Sequence, residues 1–130
     1  MIKYKATSHK KWKWELAEDY KYEFNDVEDI NYISTQYINL SMKLGFIKLK
    51  KSYAINGVNL LPDRKVWMRA AFVHDALWQL IQLGKLPKSM AKVADRIFRD
   101  IVAEDNNRFN AWLMWLGVRI GAKWRFGIRY

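Results

Sequence analysis

Two apolar stripes of helical period, set either side of a short Gly/Pro break, constrain this chain more than any other feature. The first stripe is Val66, Ala70, Val73, Leu77 and Ile81; the second is Met90, Val93, Ala94, Ile97 and Ile101. Apolar residues at three- and four-residue intervals line one face of an α-helix. Between the stripes, Gly84 suits a helix C-cap, where glycine adopts the left-handed conformation cheaply. Pro87 suits the first turn of the next helix. So short a break predicts that the two helices fold back antiparallel. Asp63 is the expected N-cap of the first. After Asp105-Asn106-Asn107, a third stripe of Phe109, Trp112, Leu113, Leu116 and Ile120 predicts a third helix.

The first half reads differently. Lys11 to Leu16 alternates Trp12 and Trp14 with charged residues, and Asp19 to Phe24 alternates Tyr20, Tyr22 and Phe24 with polar ones. Period-two alternation predicts half-buried strands. Gln36 to Leu44 and Phe46 to Tyr53 also suit strands, with Gly45 as the turn between them. Residues 25–34, with Asp26, Glu28 and Asp29, read as a loop. Ala54 to Asp63 reads as a turn-rich connection, with Asn56-Gly57 favouring a tight turn. Lys48, Lys50 and Lys51 are expected on an edge strand, where lysines discourage edge-to-edge pairing. The predicted fold is a single α+β domain over 1–130, mainly β over 1–55 and mainly α over 64–124. A small antiparallel sheet would pack on an antiparallel helix pair plus a third helix.

Half of the 130 residues are hydrophobic, enough for a core without staples, and there is no cysteine. Disulfides and thiolate metal sites are thereby excluded. Apolar runs are too short for a transmembrane segment, and the N-terminus does not read as a signal peptide. The net charge of +10 favours anionic partners: nucleic-acid backbone, an anionic membrane surface, or an acidic protein.

The chemistry-bearing residues lie on the first two helices. His74 borders the first stripe, Trp78 shares its face one turn on, and Asp95 sits on the partner helix. An antiparallel pair lets Asp95 hold one imidazole nitrogen while the other stays available as a base. Asp75 points about 100° away round the helix. The bland alternative makes His74 an interhelix hydrogen bonder and Asp75 a surface charge. Zinc is excluded on ligand count, since His9 and His74 are the chain's two histidines. No serine sits in a nucleophile-elbow motif.

The C-terminal Lys123, Trp124, Arg125, Phe126, Arg129 and Tyr130 interleave cations with rings. They suit an anionic surface, or else aromatic packing beneath solvated cations.

The stretch from Tyr20 to Trp124 resembles a family of small tailed-bacteriophage proteins. The resemblance rests on Met68-Arg69, His74-Asp75-Ala76-Leu77-Trp78, Ala94-Asp95 with Phe98, and the continuations Asn107-Arg-Phe-Asn-Ala-Trp and Val118-Arg-Ile-Gly. More distantly, the same order resembles the secreted phospholipases of class A-two. That resemblance implies His74 as general base, Asp95 as its orienting carboxylate, and Asp75 as a calcium ligand. Loop oxygens of Asn56, Gly57 and Val58 would complete the calcium shell. The chain departs from the phospholipases at three points. Asn56 stands where their loop carries Asp, Trp78 stands where they carry Tyr, and their disulfides are missing.

These departures rank a bacteriophage structural or interaction protein first, on a phospholipase-like scaffold with a degenerate metal loop. Its partners would be virion or host proteins, in the virion or the host cytoplasm. A calcium-dependent lipid or ester hydrolase is the alternative. A basic nucleic-acid-associated protein, binding through backbone charge, is a minor third.

Overall fold

The computed structural model describes residues 2–7, 12–55 and 65–126, with side chains described up to 120 and from 67 in the last segment. The fold is α+β: seven short strands in two antiparallel sheets, then three helices. The chain divides into two compact units, Met1–Gly57 and Val58–Tyr130.

In the first unit, β1 (Tyr4–Ala6), β2 (Trp14–Leu16) and β7 (Ala54–Ile55) form a three-stranded sheet in the order β1-β2-β7. The other sheet has the order β3-β6-β5-β4, from β3 (Tyr20–Glu23), β4 (Ile33–Ser34), β5 (Ile38–Ser41) and β6 (Phe46–Leu49). Its register places Tyr22 opposite Ile47, Leu40 opposite Ile47, and Ile38 opposite Leu49. All five side chains are buried, so the period-two pattern marks the inward face. Gly45 turns β5 into β6 at a φ of 78°. A Cβ there would collide with the Phe24 carbonyl oxygen, so both conformation and space require glycine.

Three expectations for this half need correction. Ala54-Ile55 is a strand on β2 rather than part of the turn-rich connection, and Ile33-Ser34 is a strand at the end of the predicted loop. Two-residue strands carry no readable period. Lys48 lies on a central strand rather than an edge, because β6 pairs on both sides. It stays half-exposed and forms an ion pair with Asp19 at 3.7 Å.

In the second unit, α1 spans Lys65–Gln82, α2 spans Ala91–Asp105 and α3 spans Arg108–Phe126. Helix α1 ends as expected at Gly84, with φ 74°. Lys85 N–H donates to Leu80 C=O at 2.9 Å and Gly84 N–H to Ile81 C=O at 3.1 Å, a Schellman cap that satisfies the last carbonyls. Pro87 opens a 3₁₀ turn, Lys88–Met90, that leads into α2. Asn107 caps α3, its side-chain oxygen accepting the Asn110 N–H at 2.9 Å.

Helices α1 and α2 are antiparallel. Arg69, near the start of α1, clasps Asp105 at the end of α2 through two hydrogen bonds of 2.9 and 3.0 Å and also bonds Glu104. His74 and Trp78 meet Asp95, near the start of α2. The described members of both predicted stripes are buried. Helix α3 departs from what an apolar stripe implies. Ala111 and Met114 are buried, whereas Phe109, Trp112, Leu113, Leu116 and Ile120 are exposed.

Candidate functional site

The α1–α2 seam holds the charged chemistry of the second unit. His74 and Trp78 stand one turn apart on α1, and Asp95 faces them from α2. His74 Nε2 lies 2.7 Å from Asp95 Oδ1. Trp78 Nε1 lies 2.8 Å from that same imidazole nitrogen and 3.3 Å from the same carboxylate oxygen. The Phe98 ring flanks the imidazole at 5.1 Å. Asp95 is completely buried, a costly position for a carboxylate without partners. Its second oxygen faces Arg119 Nη1 of α3 at 3.7 Å, an ion pair rather than a direct hydrogen bond.

Three polar atoms converge here, and the tautomer of His74 sets which of them donates. An unprotonated Nε2 would face an ionised carboxylate oxygen at 2.7 Å with no hydrogen between two acceptors. In the Nδ1–H tautomer the Trp78 indole N–H donates to Nε2 at 2.8 Å; in the Nε2–H tautomer imidazole and indole both donate to Asp95 Oδ1. The lone pair of His74 is then on Nδ1. All polar contacts of His74 run through Nε2. Among the described residues no buried side-chain nitrogen or oxygen lacks a hydrogen-bond partner. Nδ1 is therefore the nitrogen that meets solvent, on a side chain 13% exposed.

A family model described as "Protein of unknown function (DUF1353)" matches residues 14–118, from β2 into α3. The chain belongs to the DUF1353 family. No curated protein and no solved structure matches it. The match spans His74, Asp75, Trp78 and Asp95 and stops one residue short of Arg119.

This DUF1353 chain brings together His74 and Asp95 as the two stripes imply. Asp75 is half-buried on α1. Asn56, Gly57 and Val58 lie outside the described residues, as do Asp63 and Arg129. Helix α3 runs on through the cationic aromatic end, so Lys123, Trp124, Arg125 and Phe126 are helical. Among the described residues no three His, Cys, Asp or Glu side chains group to hold a metal ion. No described helix is long and apolar enough to cross a membrane.

Sequence reasoning missed Arg119 as the cation behind Asp95, although helix geometry carries the signal. Asp95 is twelve residues before Asn107 and Arg119 twelve after it. Antiparallel helices about that cap bring the two level.

Proposed function

We propose that this DUF1353 chain is a bacteriophage protein with a phospholipase-A-two-like α1–α2 pair, and that the pair hydrolyses carboxylic esters, lipid esters foremost. The observation that carries the proposal is the 2.7 Å contact of His74 Nε2 with buried Asp95, which leaves Nδ1 toward solvent. In this reading Nδ1 accepts a proton from a water molecule as the water oxygen attacks the ester carbonyl carbon. The carbon–oxygen ester bond then breaks, and the imidazolium returns its proton to the departing alkoxide. Asp95 fixes the tautomer and stabilises the transient imidazolium. Trp78 and Arg119 hold the carboxylate in place, so it need not reorganise when the imidazole gains charge.

The resemblance to the phospholipases also brings in calcium, which when bound polarises an ester carbonyl. The described residues fit this in one respect: Asp75, a hard oxygen donor, follows His74 on α1. Asn56, Gly57 and Val58 would supply the remaining protein oxygens. No step above runs through the metal.

A second reading keeps the chain as a structural or interaction protein of a phage particle, with the dyad as an interhelix tie. Asn56 in place of a loop carboxylate favours it, because a hard-cation site loses charge. One assay separates the two: fatty-acid release from ester phospholipid vesicles, with and without calcium. The hydrolase reading predicts release that His74→Ala abolishes while the helical circular dichroism persists. Absence of release in both conditions would leave the interaction reading.

A further inference from the structure

Helix α3 has an apolar face that neither α1 nor α2 covers, and it adjoins a cluster of cations. Phe109 is 68% exposed and Trp112, Leu113, Leu116 and Ile120 are 51, 45, 38 and 50% exposed. Their spacing of three, one, three and four places them on one side of the helix, about 180° from Ala111 and Met114, which are buried. Single exposed apolar residues are ordinary; a continuous stripe about three turns long is not. The helix carries Arg108, Arg119, Lys123 and Arg125 and no acidic residue.

Beside this stripe, a groove of about 260 Å³ is lined by Lys92, Arg96, Arg99, Trp115 and Arg119. Lys92, Arg96 and Arg99 fall at i, i+4 and i+7, one face of α2. The Arg99 and Arg119 guanidinium groups approach the Trp115 ring, at 5.6 and 6.0 Å. Ring contact of this kind holds a guanidinium fork in place before a ligand arrives. Trp115 is three residues from Trp112, and Arg119 three from Leu116, so the groove wall and the stripe edge share helix surface.

We infer that this α2–α3 face is a docking surface for an anionic phospholipid interface: the groove cations receive headgroup phosphates and the α3 stripe enters the acyl boundary. Two features together select this occupant. Nucleic acid would use the cations but leave Phe109, Leu113, Leu116 and Ile120 in water. A second copy of the chain could cover the stripe, but it would bring two acid-free cationic helices together. A phospholipid interface offers phosphate and hydrocarbon a few ångströms apart, matched to a basic helix whose aromatic and aliphatic stripe adjoins its cations. The guanidinium forks suit phosphate oxygens.

The inference goes beyond the hydrolase proposal and stands without it, so its test uses ether-linked lipids, which keep the headgroup and contain no carboxylic ester. The full chain is sedimented with vesicles of ether-linked phosphatidylcholine, alone or with ether-linked phosphatidylglycerol. Binding is expected to the mixed vesicles, at least tenfold above the neutral ones. Leu113→Glu with Leu116→Glu should lower it at least tenfold, and so should Arg96→Glu with Arg99→Glu. All four positions lie at the surface or the groove rim, and unchanged circular dichroism and thermal melting establish that the variants fold. Failure to bind the mixed vesicles would overturn the inference, as would equal binding to neutral ones or binding that survives both double variants. A partner protein carrying an acidic apolar groove would give the first of these results. Docking without ester hydrolysis on ordinary lipids would count against the hydrolase proposal alone.

Discussion

His74 and Asp95 meet across the α1–α2 seam at 2.7 Å, each ten residues from the Gly84-Lys85 turn that reverses the chain. The pair is joined by Trp78 and backed by Arg119, so one buried carboxylate on α2 gathers donors from both α1 and α3. That convergence makes Asp95 the residue on which the second unit's polar interior depends.

Asp95→Ala should lower stability by about 1–3 kcal/mol, because it strands the Trp78 and His74 N–H groups in the seam. The same change leaves Arg119 without its carboxylate. Urea unfolding is the measurement, with the midpoint falling at unchanged m-value. A variant as stable as the parent would mean that water replaces the carboxylate without loss.

Trp78→Phe removes the indole N–H while keeping an aromatic ring in the seam. A hydrogen bond to a charged acceptor contributes about 1.5–3 kcal/mol. The variant should therefore melt below the parent, and its ester turnover should fall as Asp95 loses the indole donor. Parent-like melting would show that the 2.8 and 3.3 Å contacts of Nε1 contribute little.

Gly84→Ala and Gly45→Ala separate conformational strain from collision. Both glycines have left-handed backbones, at φ 74° and 78°. A Cβ at Gly84 meets nothing within 4 Å, so its cost should be the left-handed penalty alone, about 1–2 kcal/mol. At Gly45 the Cβ also meets the Phe24 carbonyl, whose residue donates its own N–H to Gly45 C=O at 2.8 Å. Denaturant titration should rank Gly45→Ala as the more damaging; the reverse order would contradict the β5–β6 turn described above.

The helical half was legible because its signals are local. Gly84 and Pro87 fix the reversal, the stripes fix the facing sides, and His74 and Asp95 follow from their distances to the turn. Helix α3 was legible as a helix but not in its orientation. Spacing shows that Phe109, Leu113 and Leu116 share a face, yet says nothing of whether that face is covered. Strand β7 was missed because its pairing with β2 is a long-range property, and β1 and β7, at three and two residues, are too short for a period. The groove cations Lys92, Arg96 and Arg99 look in sequence like a solvated helix face. Their role depends on Trp115 and Arg119, which arrive from another helix.

The central claim is that Asp95 holds the Nε2 proton of His74 and leaves the Nδ1 lone pair to act as the base. Nitrogen-15 NMR of the neutral imidazole measures this directly, because a protonated and an unprotonated ring nitrogen resonate far apart. The account predicts that His74 is the Nε2–H tautomer in the parent and that Asp95→Ala weakens this preference. A His74 ring protonated at Nδ1 in the parent, with Nε2 accepting the Trp78 indole proton, would contradict it.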